Sequence, residues 1–351
     1  MPSFLPVHDF ISLSGQWPVV DVRSPSEFSQ GHVPCAVNIP LFDDRERAEI
    51  GTLYCRKGRD HAILRGLDII LPKTNRLLNS LKKRITGDRV LVYCWRGGMR
   101  SSNMAMLFET AGFGVRLLQG GYKAYRSWLR QELERERPVI ILGGFTGSGK
   151  TEILSLLRRQ GEQVIDLEGL ASHKGSAFGG IGLPGQPTNE QFENTLFHQW
   201  AGMDPSRFIW LEDESRMIRN VTLPDPLVRK LQHCPLIIIE VSLEIRVQRL
   251  VKEYAGFDDT LLSEAILKIE ERLGTQRARE ALTAIREKRF PAVAENVLQF
   301  YDKAYSHAIN RRKGQPRLYF RVEKYDPAAI AAGLTGFVHK HFKNGAHLPG
   351  L

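Results

Sequence analysis

Val139-Ile140-Ile141-Leu142-Gly143-Gly144-Phe145-Thr146-Gly147-Ser148-Gly149-Lys150-Thr151 is a short apolar run that feeds a glycine-rich turn closing on Lys-Thr. The amphipathic stretch Thr151-Glu152-Ile153-Leu154-Ser155-Leu156-Leu157 follows at once, so the turn is expected to join a strand to a helix, the setting of a Walker-type phosphate loop. Gly144, Gly147 and Gly149 let backbone amides point inward at phosphate oxygens. Ser148 completes the cradle, Lys150 supplies a point charge, and Thr151 offers a hydroxyl able to ligate Mg²⁺.

Downstream, three more apolar runs, at residues 163–167, 207–211 and 236–241, read as strands of the same sheet. From 243 to about 310 the pattern is helical, broken at Gly256, Gly274 and Pro291. An Ala-rich helical piece follows Tyr325, and the polar, Gly-containing end after it reads as loose. Upstream lies a separate α/β series: β-branched runs at 18–22, 89–93 and 115–118 alternate with amphipathic segments, as in a parallel sheet. Gly112 is placed to cap the helix after the second run, and Gly120-Gly121-Tyr122 opens a helix ending near Leu133. The charged segment 132–137, stopped by Pro138, reads as a junction. The expected fold is therefore α/β in two parts: a parallel-sheet domain over 1–133, then a P-loop NTPase-like α/β domain with a helical C-terminal part over 138–351.

The first part carries its own chemical loop, Cys94-Trp95-Arg96-Gly97-Gly98-Met99-Arg100-Ser101. A thiol acts as a nucleophile in its thiolate form, which backbone amides at a helix N-terminus and nearby arginines favour. Cys94 follows an apolar strand, Gly97 and Gly98 permit a tight turn of amides, and Arg96 and Arg100 add positive charge. A buried strand-end cysteine is the bland alternative, and the glycine pair with the arginines argues against it. The spacing from Cys94 through five residues to Arg100 and Ser101 also fits the oxyanion loop of cysteine phosphatases. Tyr93 stands where those enzymes usually carry histidine.

The 351 residues, 42% hydrophobic and 25% charged, are ordinary for soluble globular protein with two proper cores. Lys+Arg 49 against Asp+Glu 39 leaves +10, which favours polyanionic partners, nucleic acid first. Cys35, Cys55, Cys94 and Cys234 are scattered without metal-ligand spacing, so neither a disulfide framework nor a zinc site is expected, and a reducing compartment fits. The N-terminus has no basic start leading into an apolar core, and the longest apolar run, 235–241, is strand-sized; the reading is cytoplasmic, with no membrane partner.

Asp21-Val22-Arg23-Ser24-Pro25-Ser26-Glu27-Phe28, Gly31-His32-Val33-Pro34, the Cys94 loop and Leu118-Gln119-Gly120-Gly121-Tyr122, in that order, resemble a rhodanese domain. Cys35 stands where a glycine is usual after the proline and reads as a small buried substitute. Further on, residues 166–179, Trp210-Leu211-Glu212-Asp213-Glu214-Ser215-Arg216 and Tyr301-Asp302-Lys303-Ala304-Tyr305 complete a resemblance, over nearly the whole chain, to the tRNA 2-selenouridine synthase family, a rhodanese domain fused to a P-loop domain. Arg219 departs from it, since a small residue is expected after Met217-Ile218.

The resemblance implies replacement of sulfur by selenium in 2-thiouridine at the wobble position (U34) of tRNA. Selenophosphate would be the donor, and an S-geranyl intermediate would be made with geranyl diphosphate. Cys94 would receive or position selenium, with Arg96, Gly97, Gly98, Arg100 and Ser101 holding the phosphate-like donor; Gly144, Gly147, Ser148, Gly149, Lys150 and Thr151 would hold the diphosphate. Asp21, Arg23, His173, Lys174, Glu212 and Asp213 are supporting candidates. For His173 the simpler reading is a structural hydrogen-bonder, and Glu212-Asp213 is either a Walker B acid or a solvated turn. No tightly bound cofactor or resident metal is expected, and use of Mg²⁺ stays open. The partners implied are the anticodon arm of tRNA and a selenophosphate-supplying enzyme. Arg277 in one basic helical region and Arg311-Arg312-Lys313 in another are candidate tRNA contacts, although such clusters are most often solvated faces. The rival readings are a cysteine phosphatase or thiosulfate sulfurtransferase with a regulatory P-loop domain, and a nucleotide-switched RNA-binding protein.

Overall fold

The computed structural model describes residues 3–342. The chain forms two units: residues 1–134 with 190–201, and residues 135–189 with 202–351. The polar end anticipated after the last helix lies outside the described residues.

The first unit is built on β1 (Ser3–Leu5), β2 (Val19–Asp21), β3 (Val37–Asn38), β4 (Arg89–Tyr93) and β5 (Gly114–Leu118), all parallel in the order β1-β5-β4-β2-β3. Helices cover both faces of such a sheet, which is why its central strands are continuous apolar runs and not alternating ones. Val90, Val92, Leu117 and Val20 form the core with Met104 and Phe108 of the helix Met99–Thr110, which follows the Cys94 loop.

The second unit repeats the logic with β6 (Val139–Gly143), β7 (Gln163–Ile165), β8 (Ile209–Glu212), a small hairpin of β9 (Met217–Ile218) and β10 (Val221–Thr222), then β11 (Leu236–Glu240) and β12 (Arg317–Arg321). Its parallel sheet runs β12-β11-β6-β8-β7. β6 is central, so the loop leaving it opens at the carboxyl edge between strands reached in opposite directions, the crevice where α/β sheets bind ligands.

Several expectations meet a difference with a physical reason. The run at 163–167 stops pairing at Ile165 because Asp166 caps the helix Leu167–Leu170, accepting from the Gly169 amide at 2.6 Å. Pro291 does not break a helix; it occupies the first turn of Phe290–Arg311, where no amide is needed. β12 was not anticipated; it is an edge strand. The helix Asn189–Ala201 falls within the sequence span 138–351, yet residues 190–201 belong with the first unit. There Asn194 donates to the His32 carbonyl at 2.9 Å and to the Tyr122 hydroxyl at 2.7 Å.

Both departures from the family pattern fall on left-handed backbone, with φ +65° at Cys35 and +56° at Arg219. Cys35 is exposed, which corrects its reading as a buried substitute; what the position favours is a residue without a Cβ. The left-handed conformation costs a non-glycine residue ~1–2 kcal/mol, while glycine gives back ~0.5–1 kcal/mol through its freer unfolded chain. Cys35→Gly is therefore expected to stabilise the protein by up to about 1 kcal/mol. Thermal unfolding of the two proteins side by side checks this, and a lowered midpoint in the glycine variant would remove the strain argument.

Candidate functional site

In the first unit Cys94 directly follows β4 and is 3% exposed. Its Sγ lies 3.2 Å from the Ser101 hydroxyl and 3.9 Å from the Gly98 carbonyl, so the sulfur faces the start of the helix Met99–Thr110. Ser101 in turn donates to Gly98 O at 3.0 Å, closing the turn. The loop is braced from behind by the Gly120-Gly121-Tyr122 motif: the Tyr122 amide donates to Cys94 O at 2.9 Å and the Lys123 amide to Trp95 O at 3.0 Å. A Cβ on Gly121 would stand 2.4 Å from both Cys94 O and Gly97 N, so only glycine allows this approach.

The arginines of the loop differ in setting. Arg96 is exposed. Arg100 is paired with Glu27 at 2.6 Å, and although burial alone would raise Glu27, the Arg100 guanidinium holds it below the usual carboxylate range. Asp21 and Arg23 form a buried pair at 2.6 Å; Arg23 also donates to Gly31 O and lies over the Tyr122 ring at 3.8 Å. They therefore position the bracing motif, with no contact to the sulfur among the described residues. Glu190 and Asn194, which hold the Tyr122 hydroxyl, carried no local signal because they lie about seventy residues from it in sequence.

In the second unit the phosphate loop borders a cavity of about 810 Å³, lined among others by Gly147, Lys150, Thr151, Lys174, Arg249 and Arg272. Gly144 has φ +147°, and a Cβ there would meet Ile239 and Ser148 within 3.0 Å. Lys150 Nζ donates to Gly144 O at 3.0 Å. The Ser148 hydroxyl is buried and meets no partner among the described residues.

Glu212 and Asp213, adjacent in sequence, are separated in role by the strand end. The Thr151 hydroxyl lies 3.1 Å from Glu212 and 2.9 Å from Glu168. One hydroxyl hydrogen cannot serve both, so the second contact calls for a protonated carboxyl donating to Thr151. The electrostatics agree: burial and then the Glu168 charge push Glu212 up to about 8, and burial raises Glu168 and Glu214 as well. Asp213 instead accepts from Tyr305 at 2.8 Å and pairs with Arg312, while Tyr305 accepts from the Gly144 amide at 2.9 Å. Arg312 is thus part of the cavity wall, a correction to its grouping with Arg311 and Lys313, both of which are exposed.

Further supports come from distant segments. Arg246 donates to Thr146 O and pairs with Asp302 at 2.8 Å; Arg249 donates to Gly147 O at 3.1 Å and pairs with Glu152. Lys174 lines the cavity and pairs with Glu253. His173 is 4% exposed with neither ring nitrogen partnered among the described residues, so its reading as a hydrogen-bonder does not hold; burial, then the Arg219 charge, lowers its pKa. Arg277 is half-buried on the helix Thr275–Arg286. No group of three or more metal-ligating side chains with cation-binding geometry occurs among the described residues, and none of their helices is long and apolar enough to cross a membrane.

A parallel-sheet unit with a cysteine loop, joined to a P-loop unit whose cradle is ringed by arginines, defines a fusion of a rhodanese-type domain with a nucleotide-hydrolase-type α/β domain. The rhodanese-like domain model matches residues 7–128, and the model described as the tRNA 2-selenouridine synthase AAA domain matches residues 137–329. The tRNA 2-selenouridine synthase of Shewanella denitrificans is 34% identical, with 94% of this chain and 97% of that protein covered. That of Shewanella loihica is 36% identical over 86% and 89%, and that of Bordetella petrii 34% over 91% and 96%. The chain belongs to the tRNA 2-selenouridine synthase family.

Proposed function

We propose that this enzyme replaces sulfur by selenium in 2-thiouridine at the wobble position of tRNA in two steps. In the first, the thiouridine sulfur attacks C1 of geranyl diphosphate. The C1–O bond breaks with its electron pair on the diphosphate, and an S-geranyl group forms as the uridine loses its N3 proton. In the second, selenium released from selenophosphate, whose phosphorus passes to water as phosphate, adds at C2 and the geranyl thiolate departs. The order has a chemical reason: a thiocarbonyl sulfur is a poor leaving group until alkylation turns it into a thiol. Lys150 and the amides around Gly147 and Gly149 hold the diphosphate, and Cys94 positions the selenium donor within the loop closed by Ser101. Glu212 and Thr151 would supply oxygen ligands if Mg²⁺ accompanied the diphosphate, and its charge would offset the burial and the Glu168 repulsion that raise Glu212.

The observation that carries this reading is that relatives at 34% identity, matched over nearly their whole length, bear the name tRNA 2-selenouridine synthase. The test is reconstitution with 2-thiouridine tRNA, omitting one co-substrate at a time. Geranyl diphosphate alone should yield the S-geranyl nucleoside, and adding selenophosphate should convert it to the selenonucleoside. Selenation without any geranyl donor would overturn the two-step order.

The exposed pair Arg311 and Lys313 is the candidate contact for tRNA phosphate. Each phosphate neutralised contributes roughly −0.7 to −0.9 to the slope of log affinity against log salt, so replacing both by Gln is expected to reduce the slope by about 1.5. Filter-binding titrations of full-length tRNA at several salt concentrations measure it. Identical slopes would remove this pair from the RNA site and direct attention to the region around Arg277.

A further inference from the structure

The cavity at the phosphate loop shares a wall with an apolar slot. The slot lies between the helices Leu243–Tyr254, Asp259–Leu267 and Phe290–Arg311 and the loop carrying Phe178, and it encloses about 40 Å³. Leu250 and Tyr254, one helical turn apart, line both spaces. The same helix sends Arg246 and Arg249 to the carbonyls of the phosphate loop, and Leu250 Cγ lies 3.4 Å from where a Cβ on Gly147 would stand. The slot therefore begins at the phosphate cradle itself. Its floor, Leu262, Val293 and Val297, is buried, while Phe178, Leu250 and Tyr254 at its mouth are only half-buried.

We propose that this slot takes the hydrocarbon chain of a prenyl diphosphate and sets the chain length that the enzyme accepts. The inference rests on the reading of the phosphate loop as a prenyl diphosphate site. The slot itself does not suit a nucleotide base, because among the residues lining it only Tyr254 carries a polar side-chain atom. A branched hydrocarbon matches such a lining and gains from leaving water. The slot as it stands has room for only a few waters, so a ten-carbon chain would enter only if the half-buried side chains at its mouth, Phe178 and Tyr254 with rings 5.6 Å apart, turned aside. The proposal concerns binding and adds no chemical step.

The test titrates the full-length protein with pyrophosphate, geranyl diphosphate and farnesyl diphosphate, and reads the ratio of affinities. The wild type is expected to bind geranyl diphosphate at least about tenfold more tightly than pyrophosphate, the worth of roughly two buried methylenes. Ala255→Phe, which fills the slot from a half-buried position on its wall, should erase that ratio while leaving pyrophosphate within about twofold. Val293→Ala, which only removes carbon from the floor, should shift the preference toward farnesyl diphosphate, and it decides the matter if Ala255→Phe disturbs pyrophosphate binding. A wild-type preference for geranyl diphosphate that neither variant changes would overturn the slot while sparing the diphosphate reading. If the wild type does not distinguish geranyl diphosphate from pyrophosphate, both readings fall.

Discussion

Replacing Cys94 by serine is expected to lower selenium incorporation into tRNA by a factor on the order of 10³ or more, the scale on which removal of a residue essential to catalysis acts. The fold should survive, because serine keeps the shape of a side chain packed 3.2 Å from Ser101 and braced by the Tyr122 amide on the Cys94 carbonyl. The smaller, less polarizable oxygen does not replace the sulfur that positions the selenium donor, so the loop keeps its geometry and loses the atom that holds the donor. In the proposed two-step order geranyl transfer draws on the other unit and should continue, leaving S-geranyl tRNA to accumulate. Nucleoside analysis of tRNA treated with the variant measures both products at once. Selenated tRNA at the wild-type level would remove Cys94 from the mechanism.

Lys150→Ala should have the complementary effect, slowing geranyl transfer about 100-fold by removing a charge from the point where the departing diphosphate gathers its electron pair. Without a ligand, Lys150 is held by Gly144 O at 3.0 Å, so the substitution removes one hydrogen bond within the loop and little packing. Selenation should fall with it and recover when tRNA already bearing the S-geranyl group is supplied. That recovery separates a lost first step from a damaged protein. Geranyl transfer at the wild-type rate would mean that the phosphate loop serves another ligand.

Both reactive loops could be read directly from the residues because each is contiguous: strand, glycine turn and helix follow one another along the chain, and every group in the turn is local. What surrounds them could not be read in that way. Glu168, which shares the Thr151 hydroxyl with Glu212, sits in the short helix Leu167–Leu170, just past a strand that was expected to run two residues further. Arg246, held by Asp302, and Tyr305 reach the phosphate loop from 100 residues or more away, and only the sheet order brings them there. The pairing of Arg312 with Asp213 in the cavity wall was hidden for a similar reason, since Asp213 lies 99 residues earlier. Cys35 shows another limit: its departure from glycine was visible, but that it carries a backbone constraint became visible only with φ.

The most direct test of the central claim is mass spectrometry of nucleosides in bulk tRNA from cells that lack this protein, complemented with the wild type, Cys94→Ser or Lys150→Ala. The account predicts no 2-selenouridine without the protein and full recovery with the wild type. It further predicts S-geranyl-2-thiouridine without selenium in the Cys94→Ser cells, and unmodified 2-thiouridine with Lys150→Ala. Equal 2-selenouridine in cells with and without the protein would contradict it.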